Sequence, residues 1–233
     1  MLVGLGVADD NISALLVGGA MNKEVAATVV GQYKNMTPVF EQSHWNITLS
    51  ETSKHELNES LFAVTDTVRS EIKKLKPAVV IGYSGGGPVA LAATRNDTNS
   101  SVRLIILQDS ASTGIPRMAS EYYLKLDPSW PSVTDWNPGS PYMMTVGTNM
   151  SRYKYLEFDS DFQAEANGMA ASMMMPPIIT DIPGVSKKMF HTDHGGLISD
   201  PAIVRQELDS ARAMLNMTGP SSHFFPSSRI SCV

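Results

Sequence analysis

From Ala78 to Asp109 the chain runs AVVIGYSGGGPVALAATR, then a short polar link, then VRLIILQD. Two unbroken apolar runs of strand length, rich in Val, Ile and Leu, read as strands buried on both faces, and the alanine-rich stretch between them reads as a helix. Strands joined through a helix pair in parallel, and a parallel sheet needs cover on both faces. That unit sets the class as α/β. The rest of the chain repeats it. NISALLVGG is a strand, KEVAATVVGQYK a helix and HWNITLS an alternating strand. Ser53 with Glu56 resembles a capping box for a helix running to Lys76, where Pro77 stops it. YMMTVG, Tyr142–Gly147, is a weaker strand and SKKMFH the last one. Asp200 then caps a final amphipathic helix with Pro201 at its first position. The expectation is a mainly parallel sheet of about six strands with helices on both faces, a three-layer sandwich.

A chain of 233 residues suits one such domain over 1–233. Two segments break the alternation, 110–141 and 149–185, carrying Trp130, Trp136 and Met173–Met175. Loops that long in a compact domain form lids or pocket walls. The net charge of −5 gives no basic surface for nucleic acid. No apolar run reaches the length of a membrane span, and the opening MLVGLGVADD lacks the features of a leader. Cys232 is the single cysteine, which rules out an internal disulfide. Asparagine usage points outward instead. Asn11, Asn35, Asn46, Asn58, Asn96, Asn99, Asn149 and Asn216 all open N-x-[ST] triplets, against roughly one Asn in seven or eight at ordinary Ser and Thr usage. Either the surface is simply rich in Ser, Thr and Asn, or the protein is an exported glycoprotein. The second alternative is slightly favoured over a cytoplasmic location.

Gly82-Tyr83-Ser84-Gly85-Gly86 completes G-x-S-x-G between a buried strand and a helix. A nucleophile on that elbow is held in a strained conformation, which requires neighbours without side chains two positions away on either side. The helix opening at Gly85 then presents N–H groups to an oxyanion beside Ser84. A phosphate cradle would need a different glycine spacing. Serine needs a base, and a loop between the last strand and last helix hangs over the sheet edge where the elbow points. His194 lies in that loop and is the chosen base, with His191 as the alternative.

The early elbow, the late histidine and the strand–helix alternation resemble the α/β-hydrolase superfamily, in particular its small lipases and esterases, over about Ile12 to Asn216. His194, Leu197, Asp200 and Pro201 match the histidine, leucine and helix-opening Asp-Pro of such lipases. The resemblance implies a compact version of the fold that starts near the family's third strand and lacks the first ones. It places the triad acid after the strand read at Tyr142–Gly147, where Asp159, Asp161 and Glu165 are available and Asp161 is the choice. The usual Asp-Gly of that loop is here Asn167-Gly168. The resemblance also implies an oxyanion hole from the backbone N–H groups of Gly85 and Ala20, although Gly18-Gly19 stands where His-Gly is common.

The function expected is a cofactor-independent serine hydrolase of carboxylic esters, an esterase or lipase, acting on a small acyl or lipophilic ester. The same groups would serve an acyltransferase or thioesterase, and a non-catalytic binding module of a larger surface protein is the alternative from another class. His191-Thr192-Asp193-His194 holds metal-ligand types, but no second cluster completes a zinc site, so no metal is expected.

Overall fold

The computed structural model describes residues 11–19, 23–54, 59–95, 101–110, 114, 121, 125, 132–146, 153–160 and 185–216. Their order is β1 (Ile12–Gly18), α1 (Lys23–Gln42), β2 (Trp45–Leu49), a 3-10 turn (Glu51–Lys54), α2 (Leu61–Leu75), β3 (Val79–Tyr83) and α3 (Gly86–Thr94). Then come β4 (Leu104–Gln108), α4 (Ser132–Asp135), α5 (Pro141–Val146), β5 (Lys154–Ser160), β6 (Ser186–Phe190), α6 (Gly196–Ser199) and α7 (Pro201–Asn216). The six strands form one sheet in the order β2-β1-β3-β4-β5-β6, with every pair parallel.

The period-two alternation of the strands sorts their side chains between two cores. Leu15, Val17, Val80, Ile105 and Leu107 pack with α2, α3 and α5. Ala14, Leu16, Val79, Ile81, Leu104 and Ile106 pack with α1, α6 and α7 on the other face. The central strands β3 and β4 are buried at every position, as their unbroken apolar runs require. At the sheet's edge, β2 alternates buried and exposed residues.

Several local expectations change. α1 continues through Pro38 to Gln42 rather than ending at Lys34. Burying Met36, Val39 and Phe40, at roughly 1.5–3 kcal/mol each, outweighs the roughly 3 kcal/mol cost of an interior proline. Ser53 is no helix cap: it is buried and its Oγ accepts the Gly18 N–H at 2.6 Å. α2 begins instead at Leu61, whose N–H donates to Asp135 Oδ2 at 2.8 Å. Tyr142–Val146 is helix, not strand. Pro141 opens it, Ser140 Oγ accepts the Met143 N–H at 3.0 Å, and Tyr142, Met143 and Val146 are buried on one side. The fifth strand is Lys154–Ser160, inside the segment read as an insertion over 149–185. Its charges disguised it. Glu157 is fully buried, with Lys187 Nζ on its carboxylate at 2.9 Å.

Candidate active site

The register sets the site's geometry. Gly18 pairs with Tyr83, Tyr83 with Gln108, and Gln108 with Phe158, so four strands are level at that point. The next residue on each, Gly19, Ser84, Asp109 and Asp159, lies at or just past the carboxyl edge of the sheet, where α/β folds build their sites. Ser84 and Asp109 both turn out of their strands with positive φ, 54° and 41°. For residues with a Cβ this is strained backbone of the kind that gathers at functional sites.

Contacts on both sides account for the elbow's glycines. A Cβ on Gly82 would stand 2.6 Å from Gly87 Cα, and one on Gly86 2.0 Å from the Val17 carbonyl oxygen. The turn is pinned by the Ser84 N–H to the Gln108 carbonyl at 2.9 Å and the Gly87 N–H to the Ser84 carbonyl at 3.2 Å. The loop after β1 abuts it, since a Cβ on Gly19 would lie 2.3 Å from Gly85 N. Trp136, fully buried, covers Gly85 from the other side. Ala20 lies outside the described residues.

His194 follows β6, in the loop ahead of α6. Asp193 Oδ1 accepts the Gly196 N–H at 2.8 Å and shapes that loop. The His194 ring stacks on Tyr83, with centroids 4.8 Å apart and 21° between planes, and the Tyr83 hydroxyl donates to the His194 carbonyl at 3.1 Å. Burial and then the neighbouring Asp109 and Asp193 push the Tyr83 phenol up, so it remains a donor at neutral pH. The imidazole therefore rests on the residue preceding Ser84. His191, the alternative, is exposed.

Among the described residues, the carboxylate that meets His194 is Asp109, with Oδ2 3.0 Å from Nδ1. Its side chain is 10% exposed and that of His194 28%. Ser160 at the end of β5 holds the same carboxylate twice: its N–H donates to Oδ1 at 2.8 Å and its hydroxyl to Oδ2 at 2.5 Å. The Asp109 N–H donates to the Phe158 carbonyl at 3.0 Å. Asp161 and Glu165 lie outside the described residues. Asp159 is half-buried, and burial, then Glu157 and Asp109, push its carboxyl up to about 7. Below the site, Gln108 Nε2 donates to Glu207 Oε2 at 2.6 Å, and complete burial pushes the Glu207 carboxyl well up. Tyr83, Asp109 and Ser160 had no role in the sequence reading. For Asp109 a signal existed: an aspartate directly after a buried strand that neighbours the elbow strand.

No family model matches the chain, and no curated protein matches it in sequence. Solved structures do match in shape. An α/β hydrolase enzyme, MGS-MChE2 from the metagenome of sediments from the lagoon of Mar Chica, Morocco, superimposes with TM-score 0.56 at 13% identity, over 88% of this chain and 92% of that one. A bromoperoxidase from Bacillus anthracis gives 0.55 at 9%, over 88% and 92%. The monoacylglycerol lipase of Paleococcus ferrophilus gives 0.52 at 14%, over 85% and 94%. The chain has the α/β-hydrolase fold.

Proposed function

We propose that this α/β-hydrolase-fold protein is a serine hydrolase of carboxylic esters, with Ser84 as nucleophile, His194 as base and Asp109 as the orienting acid. The observation that carries the reading is the Asp109–His194 pair at 3.0 Å, stacked on the residue beside a strained serine elbow. An ionised carboxylate only accepts, so Asp109 selects the tautomer with its proton on Nδ1 and leaves the Nε2 lone pair as the base.

Ser84 Oγ attacks the ester carbonyl while His194 Nε2 takes its proton. Negative charge gathers on the carbonyl oxygen and is met by the Gly85 N–H at the head of α3, with the loop after β1, at Ala20, supplying the second donor. The imidazolium, held by Asp109, protonates the leaving alcohol. Water then enters, gives its proton to Nε2 and releases the acid from the acyl-enzyme. Asp109 orients the ring and stabilises the imidazolium without taking the proton. The same groups would pass the acyl unit to another acceptor, so the choice of ester hydrolysis over thioester or acyl transfer rests on fold analogy.

A fluorophosphonate probe tests the reading. Stoichiometric labelling of the folded chain at Ser84, lost in Ser84→Ala, is the expected result. A folded chain that resists the probe would overturn it and leave a binding module.

A further inference from the structure

The excess of N-x-[ST] triplets is not used by the catalytic reading. Eight of the eleven asparagines open one. The chain is rich in hydroxyl residues, with 26 serines and 15 threonines in 233, yet that composition yields only about two such triplets from eleven asparagines. A polar surface alone does not account for eight.

Their placement adds an independent observation. Four of the eight lie among the described residues, Asn11, Asn35, Asn46 and Asn216, and all four are exposed. Asn137, outside any triplet, is only half-exposed. Asn11 stands just before β1, Asn46 is the second residue of β2, and Asn216 ends α7. The register pairs Ile12 with Trp45, the Ile12 N–H donates to the His44 carbonyl, and Arg212 of α7 donates to the Ser43 carbonyl at 2.6 Å. Lys154 at the start of β5 donates to the Met214 carbonyl at 2.7 Å. These three asparagines thus share the amino end of the sheet. At about 3.3 Å per residue, roughly 20–26 Å of strand separates Asn46 and Asn11 from the level of Ser84.

We propose that the chain is a secretory-pathway glycoprotein carrying N-linked oligosaccharides on Asn11, Asn46 and Asn216, on the end of the domain opposite the catalytic edge. In that reaction a bond forms between Asn Nδ2 and C1 of the first sugar, the C1–O bond to a lipid-pyrophosphate oligosaccharide donor breaks, the lipid pyrophosphate leaves and one amide proton passes to a base. The acceptor is the entering, unfolded chain, so sites destined for a strand or helix end serve equally. The hydrated sugar must then lie outside the fold, a condition that the exposure of all three side chains meets. Asn35 is left out of the set because Pro38 directly follows Thr37 and its ring restricts the residue whose hydroxyl must reach the asparagine amide.

The test is to translate the full chain behind a cleavable leader with microsomes, then release glycans with peptide N-glycosidase in heavy-oxygen water and read each asparagine by mass. Heavy-oxygen aspartate at positions 11, 46 and 216 is expected, together with loss of three gel-mobility steps in the Asn11→Gln, Asn46→Gln, Asn216→Gln triple variant. Unmodified asparagine at all three positions would overturn the proposal, and the readout requires neither folding nor activity. A second measurement checks the geometry: fluorophosphonate labelling before and after deglycosylation should proceed at the same rate. Labelling that appears only after the glycans are removed would refute their placement away from Ser84. A chain that never labels would count against the serine-hydrolase reading alone.

Discussion

Replacing Ser160 with alanine separates a positioned triad acid from a carboxylate that merely lies near a histidine. The substitution removes the hydroxyl that donates to Asp109 Oδ2 at 2.5 Å but leaves the Ser160 N–H on Oδ1 at 2.8 Å. Asp109 then keeps one of its two Ser160 anchors, and the oxygen facing His194 Nδ1 loses the donor that fixed it. A hydrogen bond to a charged group contributes about 1.5–3 kcal/mol. Since about 1.4 kcal/mol is a factor of ten in rate, kcat should fall between about 10-fold and 150-fold if that contribution is felt in the transition state. The effect should stay below the roughly 10⁴-fold expected from losing the acid itself. The assay is steady-state hydrolysis of p-nitrophenyl butyrate with kcat and KM resolved, alongside circular dichroism to establish that the sheet is intact. KM should barely move, because Ser160 touches Asp109 and not the ester. Ser160→Thr, which keeps a hydroxyl at the position, should recover most of the loss. A folded Ser160→Ala variant with unchanged kcat would refute the argument that the carboxylate is held for catalysis.

Asp109→Asn should lower kcat by about 10⁴-fold while Asp161→Asn and Glu165→Gln leave it nearly unchanged; the reverse pattern in the same ester assay would move the acid to one of those two residues. Gly19→Ala should lower ester turnover by about 10²–10³-fold, because the new Cβ would press to 2.3 Å of Gly85 N and displace an oxyanion donor of that worth; normal turnover by a folded variant would show that Gly19 does not shape the hole. The native carboxyl of Asp159 is raised from 3.8 to about 7, so its stabilising contribution is complete below about pH 3.8 and is lost as pH climbs through 7. Asp159→Asn should therefore gain on the parent in urea-midpoint titrations between those limits, and parallel curves would contradict the shift.

Much of the fold was legible because burial on both faces leaves an unbroken signature: β3 and β4 announce themselves, and the glycines around Ser84 name the turn from β3 into α3. β5 was missed for the opposite reason. Glu157 is paired internally with Lys187, and Asp159 is raised by its surroundings, so two carboxylates sit where a sequence reading expects solvent. The strand used to place the acid, Tyr142–Gly147, is helix α5 over Pro141–Val146, so the acid candidates Asp159, Asp161 and Glu165 follow from a different element than the one expected. His194 could be reached by topology, since a loop after the last strand must overhang the carboxyl edge. Asp109 carried a local signal, an aspartate directly after a buried strand, but its meeting with His194 depends on β4 being level with β3 to the residue, which is a property of pairing and not of local pattern.

Because Asp109 directly follows β4 and Ser160 ends β5, the seat of the proposed acid is transferable. Asp109 and Ser160 are hydrogen-bonded neighbours across two adjacent strands, so the carboxylate and the hydroxyl that supports it stand side by side at one edge of the sheet. Exchanging them, Asp109→Ser with Ser160→Asp, preserves the composition of the pair and changes only which strand delivers the charge. The histidine loop and the serine elbow need not move. Descent would relocate the proposed aspartate by such an exchange in two substitutions, and the order that passes through two carboxylates keeps a charge beside His194 throughout.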